Sequence, residues 1–376
     1  MPLPTLFDYS MVDEAVIGQR VVVPFGRKQA LGVVLECAAE SELDAQRIKP
    51  VLRLLDDVPP LSADLLDLLR FCADYYHYPL GAAVMSALPS RLRSGEPLAR
   101  KEAAHYALSA SGLALDLAAF SRRRSVQRRL LEALRDGPLG EARLRALAPS
   151  APAAIKALLQ EGWLEACPAL PAGGEGQAAA PHAFANAHAL TAEQQQAVAA
   201  VAQSSDYQCF LLHGVTGSGK TEVYVHLMHA VLRRGGQVLL LVPEINLTPQ
   251  LEHYFRSRFP DTELASLHSG MADGARAQNW LRAQSGEARI VLGTRLAVFT
   301  PLPQLALVIV DEEHDGSFKQ QDGLRYSARD VAIFRASRNR IPVVLGSATP
   351  SLESYYNAQS GRYRLLKLTE RAAQQA

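Results

Sequence analysis

The second half of the chain alternates short apolar runs with segments of helical spacing. Parallel strands that are buried on both faces have nearly continuous apolar sequences. Five runs fit this description: "CFLLH", "QVLLLVP", "ARIVLGT", "LALVIVDE" and "IPVVLGSA". The segments between them have the apolar spacing of helices, which permits right-handed crossovers between parallel strands. Residues 189–376 are therefore predicted to form a doubly wound α/β domain.

Residues 1–60 have a β-rich pattern, and residues 1–98 are predicted to form a β-rich domain. "QRVVVPFGRKQALGVVLECA" places two β-branched runs on either side of a basic turn that contains glycine, which predicts a hairpin in a small barrel. "LSADLLDLLRFCADYYHYPL" starts with a serine suited to an N-cap and continues with helical spacing.

Residues 99–167 contain three short segments with helical spacing and a locally basic stretch, "SRRRSVQRR". Compact helices with an arginine-rich face are typical of a winged-helix-like domain. A helical spacer with a solvated charged face is the alternative. Residues 168–188 are rich in Ala, Pro and Gly and lack periodicity, which predicts a linker.

The composition is that of an ordinary globular protein. The chain has 376 residues, of which 48% are hydrophobic and 20% charged, and its net charge of +1 argues against a polyanion-binding surface over the whole chain. The four cysteines form no CxxC pair, so no zinc site or disulfide framework is indicated. The sequence shows no signal peptide and no membrane-spanning run, and a cytoplasmic location is expected.

The stretch "HGVTGSGKTEVY" lies between a predicted strand and a predicted helix, and it contains the spacing G-x-x-x-x-G-K-T. Glycines in such a loop let backbone N–H groups surround phosphate oxygens, and the helix N-terminus adds partial positive charge. Lys220 is expected to reach the β- and γ-phosphates of ATP, and Thr221 to ligate Mg²⁺. The predicted phosphate-binding residues are Gly214, Val215, Thr216, Gly217, Ser218, Gly219, Lys220 and Thr221.

Asp311 and Glu312 directly follow the apolar run in "LALVIVDEEH". Asp311 is expected to hold Mg²⁺ and Glu312 to orient and deprotonate the attacking water. Because a kinase needs no second carboxylate to activate water, the pair favours ATP hydrolysis over phosphorylation. In "GSATPS", Ser347 and Thr349 follow another predicted strand and are expected to sense the γ-phosphate.

The strings GVTGSGKT, DEEH and GSATPS, in this order, resemble motifs I, II and III of superfamily 2 helicases. Longer strings resemble the bacterial replication-restart helicases within that superfamily. They are "PLPTLFDY", "VPFGRKQALGVV", "ADYYHYPLG", "LVPEINLTPQ", "LHSG", "IVLGTRLAVFTPL" and "DEEHDGSFKQQDGLRYSARDVAIFRA". The resemblance covers nearly the whole chain. It implies a β-rich 3′-DNA-end-binding domain followed by a RecA-like helicase lobe.

The resemblance implies an ATP-dependent 3′ to 5′ DNA helicase that recognises stalled or abandoned replication forks and initiates primosome assembly. Its implied partners are forked and single-stranded DNA, other primosome proteins and single-strand-binding protein, with a location at the nucleoid. No further strand series and no cysteine cluster follow "RYRLLKL", so the sequence is expected to hold the N-terminal half, without the second lobe and the Zn²⁺ ligands of the family. A non-catalytic fragment that binds fork DNA and nucleotide is the alternative.

The resemblance also implies roles for individual residues. Gln194 corresponds to the residue that contacts adenine. The implied 3′-end pocket contains Asp8, which would accept a hydrogen bond from a 3′-OH, and Lys49, which would contact a phosphate. An aromatic-rich loop after DEEH would stack on bases at about 1–3 kcal/mol each, although Leu324 stands where the family often has an aromatic residue. The implied DNA-binding residues are Phe7, Asp8, Gly26, Lys49, Glu244, Thr294, Arg295, Phe318, Lys319, Arg325, Tyr326 and Arg329.

Overall fold

The computed structural model describes residues 5–11, 15–95, 105–115, 117, 124–135, 137–140, 144, 147–148, 151–167 and 189–371. The chain divides into two compact units. One unit comprises residues 1–98 together with residues 179–376, and the other comprises residues 99–178.

The N-terminal segment is β-rich. Its strands are β1 (Tyr9–Ser10), β2 (Arg20–Phe25), β3 (Lys28–Val33), β4 (Lys49–Pro50) and β5 (Arg53–Leu55). The predicted hairpin is confirmed, because β2 and β3 pair in antiparallel fashion across a tight turn at Gly26, whose φ is +61°. The predicted barrel is not confirmed. Among the described residues, β1 and β4 are only two residues long and form their own small sheet, beside a sheet of order β3-β2-β5.

Two helices follow, α1 (Ala63–Tyr75) and α2 (Leu80–Ala87), and then a 3₁₀ turn, Ser90–Arg93. The predicted N-cap is confirmed, since Ser62 Oγ accepts a hydrogen bond from the Leu65 amide at 3.4 Å. These helices pack against the later α/β part of the same unit. The Phe71 and Phe334 rings stack with centroids 3.5 Å apart, and Asp64 Oδ2 accepts a hydrogen bond at 3.1 Å from Arg335 Nη2.

The second unit is built from β6 (His105–Leu108), α3 (Ala110–Leu113), α4 (Ser125–Leu134), β7 (Leu139–Gly140), α5 (Ala151–Gln160) and β8 (Leu164–Cys167). Its strands form an antiparallel sheet of order β7-β6-β8. Helices α4 and α5 agree with two predicted helical segments. The middle predicted helix lies largely outside the described residues, and the predicted linker at residues 168–188 lies wholly outside them. Arginines of the basic stretch make surface ion pairs, Arg124 with Glu161 at 3.0 Å and Arg128 with Glu132 at 2.7 Å.

The α/β part has seven parallel strands in the order β11-β12-β10-β13-β14-β9-β15. This is the doubly wound α/β sheet expected from the sequence, and the five strands predicted from the apolar runs are confirmed. The strands that the prediction omitted, β11 and β15, are the two edges of the sheet, where a strand need not be apolar throughout. The elements are α6 (Ala192–Ala202), β9 (Cys209–Gly214), α7 (Lys220–Leu232), β10 (Gln237–Leu241), α8 (Pro249–Arg258), β11 (Leu264–Leu267), α9 (Asp273–Gln284), β12 (Ile290–Gly293), β13 (Leu305–Asp311), α10 (Ala328–Arg338), β14 (Val343–Ser347), α11 (Leu352–Gln359) and β15 (Arg364–Leu368).

Alternate residues of the central strands enter two separate apolar cores, one on each face of the sheet. Leu211 and Val308 belong to one core, and Phe210 and Ile309 to the other. The strand register sets Asp311 beside Gly346, and Ser347 beside His213. The carboxyl ends of β9, β14 and β13 therefore lie side by side. Of the helices described, none has the length and apolar character that crossing a bilayer requires.

Candidate nucleotide-binding and DNA-binding site

The loop between β9 and α7 has the backbone shape of a phosphate-binding loop. Gly217 and Gly219 have φ of +80° and +78°, in the left-handed region that favours glycine. Lys220 is the first residue of α7, and its Nζ donates a hydrogen bond to the Gly214 carbonyl at 3.2 Å. The same Nζ lies 3.5 Å from Glu312 Oε1. The predicted lysine and the predicted general base thus meet at the mouth of the loop.

Gln194, on α6, stabilises this loop through hydrogen bonds. Its Nε2 donates to the Ser218 carbonyl at 2.8 Å, and its Oε1 accepts from the Thr191 amide at 2.9 Å. The residue is 3% exposed. A buried amide with a donor and an acceptor both engaged is a rigid support. Its contact with adenine stays a prediction.

Asp311 is held by a residue that the sequence did not single out, Tyr224 on α7. The Tyr224 hydroxyl donates to Asp311 Oδ1 at 2.9 Å. Burial raises the pKa of Asp311 above its ordinary value, while the hydrogen bond from Tyr224 lowers it. A Cβ at Gly346 would lie 1.6 Å from the Tyr224 oxygen, so this site requires glycine on β14. In the sequence, Tyr224 resembles any core residue of an amphipathic helix, and only the folded chain shows its partner.

Substituting Tyr224 by Phe is expected to raise the pKa of Asp311 further, because the donor that favours the carboxylate is lost. Protons then compete with Mg²⁺ at higher pH, so the midpoint of Mg²⁺-dependent nucleotide binding shifts upward on the pH axis. Titrating Mg²⁺-dependent ATP binding between about pH 4.5 and 8 measures this shift. Tyr356→Phe, at a position 64% exposed, is the control and is expected to leave the midpoint unchanged. Coincident profiles for Tyr224→Phe and the wild type would rule out this role.

Glu312 adopts φ of +46°, which is uncommon for a residue with a side chain. Such backbone strain persists where the surroundings over-determine it, and it clusters at functional sites. Here the conformation accompanies the approach of the Glu312 carboxylate to Lys220.

The predicted γ-phosphate sensor is joined to the DEEH segment through His314. Its Nδ1 lies 2.8 Å from Ser347 Oγ, and its Nε2 lies 3.3 Å from Thr349 Oγ1. The Thr349 amide also donates to Ser347 Oγ at 3.0 Å. The structure therefore brings Ser347 and Thr349 into one hydrogen-bonded group with the end of DEEH.

Glu313 is a second residue that the sequence did not reveal. It is 2% exposed, and its carboxylate accepts hydrogen bonds from the Ser351 amide at 2.7 Å, Ser354 Oγ at 2.8 Å and Arg329 Nη1 at 3.1 Å. These partners start α11 and lie on α10. Glu313 therefore connects the DEEH segment to both helices. One of its partners is Arg329, a predicted DNA-binding residue whose side chain here pairs with Glu313.

The residues predicted to grip a single strand lie at the carboxyl ends of β10 and β12. Glu244 follows β10, and its carboxylate accepts a hydrogen bond from Ser269 Oγ. Thr294 is 7% exposed, and the neighbouring Arg295 donates from Nη1 to the carbonyls of Ser317 at 2.9 Å and Lys319 at 3.3 Å. Arg295 thus connects this edge of the sheet to the loop after DEEH.

The loop after DEEH differs from the expectation that its aromatic rings face DNA bases. Phe318 and Tyr326 are each 2% exposed, and the Tyr326 ring packs against Phe299 with centroids 4.9 Å apart. Burial also raises the pKa of Tyr326. Apolar ring surface is more stable in the core than in water, so both rings pack inward. Lys319 and Arg325 are exposed and remain open to a ligand.

The four N-terminal residues predicted to bind a 3′ end lie in one corner of the fold. The Phe7 ring meets Phe25, the neighbour of Gly26, edge to face at 5.5 Å. Asp8 accepts a hydrogen bond from Ser41 Oγ, and the following residue pairs with Lys49 in the β1–β4 ladder. Phe7, Asp8, Gly26 and Lys49 are all exposed.

A glycine-rich phosphate loop facing an Asp–Glu pair, on a seven-stranded parallel sheet, is the arrangement of a P-loop nucleotide-binding domain. In agreement with that class, residues 191–358 match the DEAD/DEAH box helicase family. Residues 1–89 match the PriA 3′ DNA-binding domain (3′BD).

Curated relatives extend the match along the chain. It is 38% identical to replication restart protein PriA of Haemophilus influenzae, over 99% of this chain and 51% of the relative. It is 32% identical to PriA of Bacillus subtilis, over 97% of this chain and 54% of the relative. It is 34% identical to PriA of Chlamydia trachomatis, over 98% of this chain and 50% of the relative.

The chain therefore spans about half the length of the curated relatives it matches. The resemblance drawn from the sequence is confirmed: the chain carries a PriA-type 3′ DNA-binding domain and a DEAD/DEAH box helicase domain.

Proposed function

We propose that this chain supplies the fork-recognising and nucleotide-binding part of an ATP-dependent 3′ to 5′ DNA helicase, one that recognises stalled or abandoned replication forks and initiates primosome assembly. One observation carries the proposal. Lys220 Nζ lies 3.5 Å from Glu312 Oε1 at the phosphate loop, in a chain whose residues 1–89 match a DNA-end-binding domain. A nucleotide-binding site with a general base, in the same chain as a domain that binds DNA ends, suits a helicase that begins unwinding at forks.

The residues present fit Mg·ATP. Thr221 and Asp311 offer a hydroxyl and a carboxylate, the hard oxygen ligands that Mg²⁺ prefers. When bound, Mg²⁺ neutralises negative charge on the phosphates during transfer. Lys220 exchanges its contact with Glu312 for the phosphates, and this releases Glu312 to orient a water and take its proton. Ser347 and Thr349, joined to DEEH through His314, are then placed to respond to loss of the γ-phosphate.

DNA contact is assigned to exposed cations and to the strand ends beside them. Lys319 and Arg325 are exposed on the loop after DEEH, and Arg295 bonds that loop to the edge of the sheet. A DNA phosphate bound by this loop would attract it. The loop is continuous with the segment that carries Glu312 and Glu313, so that segment would be displaced as well. This continuity gives a physical route by which DNA binding alters hydrolysis.

Each segment of the chain has a role in this proposal. Residues 1–98 form a β-rich 3′-end-binding domain, residues 99–167 a winged-helix-like domain, residues 168–188 a linker, and residues 189–376 the first helicase lobe. The proposed partners are forked DNA, other primosome proteins and single-strand-binding protein, in the cytoplasm at the nucleoid. Zinc stays a prediction for the whole protein, drawn from the resemblance.

The 3′-end pocket predicts a defined effect of Asp8→Ala. Loss of the carboxylate removes the acceptor for a 3′-hydroxyl, so preference for a 3′-OH fork over a 3′-phosphate fork is expected to fall by about 10-fold. Fluorescence anisotropy with the two forks measures the ratio. Asp261→Ala, at an exposed aspartate of the helicase lobe, is the control and should keep the wild-type ratio. An unchanged ratio in Asp8→Ala would show that Asp8 does not bind the 3′-hydroxyl.

A further inference from the structure

A small groove lies where the N-terminal segment meets the carboxyl ends of β10, β11 and β12. Its cavity volume is about 100 Å³. That is well below the roughly 300 Å³ of pockets that enclose small-molecule ligands. The groove therefore suits one compact group of a ligand that passes over the surface.

The groove is basic. Arg93, Arg276 and Arg295 line it together with His268. Of the acids nearby, Asp273 is paired with Arg276, and Glu244 accepts a hydrogen bond from Ser269 Oγ. Burial and the charge of Arg276 lower the pKa of Arg93, and the charge of Asp273 offsets part of this shift. Two like charges held together at a partly buried site are unfavourable by themselves, and an anion between them would relieve the repulsion.

The two guanidinium groups are fixed by protein contacts. Arg93 donates from Nε to the Leu88 carbonyl at 2.8 Å and from Nη2 to the Ser86 carbonyl at 3.2 Å. Arg276 donates from Nη2 to Ser90 Oγ at 3.1 Å. Within the described part of the chain, Nη1 of both arginines makes no hydrogen bond. Pre-organised guanidinium donors bind phosphate oxygens with little further loss of entropy.

The same groove contains Glu244, Thr294 and Arg295, the residues assigned to the single strand at the ends of β10 and β12. We propose that Arg93 and Arg276 form a phosphate-binding site for that strand and extend its path from the helicase lobe onto the N-terminal segment, Ser86–Arg93. This inference rests on the proposed function. The ligand is the phosphodiester backbone, since the cavity is too small to enclose a nucleotide and its donors are cationic.

The test is the salt dependence of binding to a labelled oligothymidylate, measured by fluorescence anisotropy. Removing one arginine–phosphate ion pair is expected to reduce the slope of log K against log salt by about 0.7 for a single strand. Arg276→Gln is expected to show a reduction of this size and to bind several-fold more weakly at low salt. Arg234→Gln is the matched control, because Arg234 is exposed beyond the end of α7, at the amino-terminal edge of the sheet, and should leave the slope unchanged.

Two further variants separate the effect of the Arg276 charge from the effect of the hydrogen bond between Arg276 and Ser90. Arg276→Lys keeps the charge and is expected to retain the wild-type slope, and Ser90→Ala removes the hydrogen bond and is expected to do the same. A reduction of the slope in Arg276→Lys or Ser90→Ala equal to that in Arg276→Gln would overturn the inference, as would an unchanged slope in Arg276→Gln. If the wild type itself fails to bind the strand, the proposed function fails, and the inference fails with it.

Discussion

Replacing Lys220 with alanine is expected to weaken Mg·ATP binding by about 10-fold to 100-fold, whereas Glu312→Gln is expected to preserve it. A hydrogen bond to a charged group contributes about 1.5–3 kcal/mol, which corresponds to losses of this size. Lys220 begins α7 beside the phosphate loop, so it is placed to supply such a bond. Glu312 acts on the water, so its amide variant should bind nucleotide and lose turnover by about 10²–10⁴-fold.

Isothermal titration with a non-hydrolysable ATP analogue and Mg²⁺ separates the two roles. Lys156→Ala, at an exposed lysine of the second unit, is the control for removal of a positive charge and should bind as the wild type does. Because Lys220 Nζ and Glu312 Oε1 are 3.5 Å apart, Glu312→Gln also frees the lysine from its ion pair and should not weaken the complex. An equal loss of binding in Lys220→Ala and Glu312→Gln would undo this division of roles.

Arg258→Ala is expected to destabilise the helicase lobe by about 3–5 kcal/mol. Arg258, at the end of α8, forms a bidentate pair with Glu222 of α7, with Nη1–Oε2 and Nη2–Oε1 distances of 2.8 and 2.5 Å. Both residues are buried, at 3% and 9% exposure. Removing the guanidinium leaves the buried Glu222 carboxylate with longer contacts, among them the Tyr254 hydroxyl at 3.4 Å and His226 Nε2 at 3.4 Å. The cost is the desolvation of that charge, which the pair otherwise offsets.

Thermal and urea unfolding measure the loss. Arg256→Ala is the matched control on the same helix, because Arg256 pairs with Glu252 at 2.7 Å on the surface, where such a pair contributes about 1 kcal/mol or less. The double variant Glu222→Leu with Arg258→Met removes both charges and is expected to recover part of the stability. An effect of Arg258→Ala no larger than that of Arg256→Ala would contradict the buried-pair interpretation.

The central sheet and the phosphate loop were predictable because their signals are local. A strand covered on both faces must be apolar, so β9, β10, β12, β13 and β14 show in the sequence. The edge strands β11 and β15 carry polar residues and were omitted, since an edge relaxes that requirement. The spacing from Gly214 to Thr221 is likewise local, because consecutive residues build the loop.

Tyr224 and Glu313 could not be predicted because their partners are distant in sequence. Tyr224 bonds Asp311, and Glu313 bonds Ser351 and Ser354 only after the strands align. The aromatic-rich loop shows a related limit. Its composition indicates that aromatic rings are present but not whether they face solvent or the core. In the structure, the Tyr326 ring packs against Phe299 in the core.

The most direct test of the proposed motor is steady-state ATP hydrolysis by the protein, without and with forked DNA, beside Glu312→Gln. The predicted result is turnover that rises when the fork is added and is lost in Glu312→Gln. Intact binding of the fork and of Mg·ATP, with no turnover under either condition, would contradict the helicase proposal and favour a module that recognises forks without hydrolysing ATP.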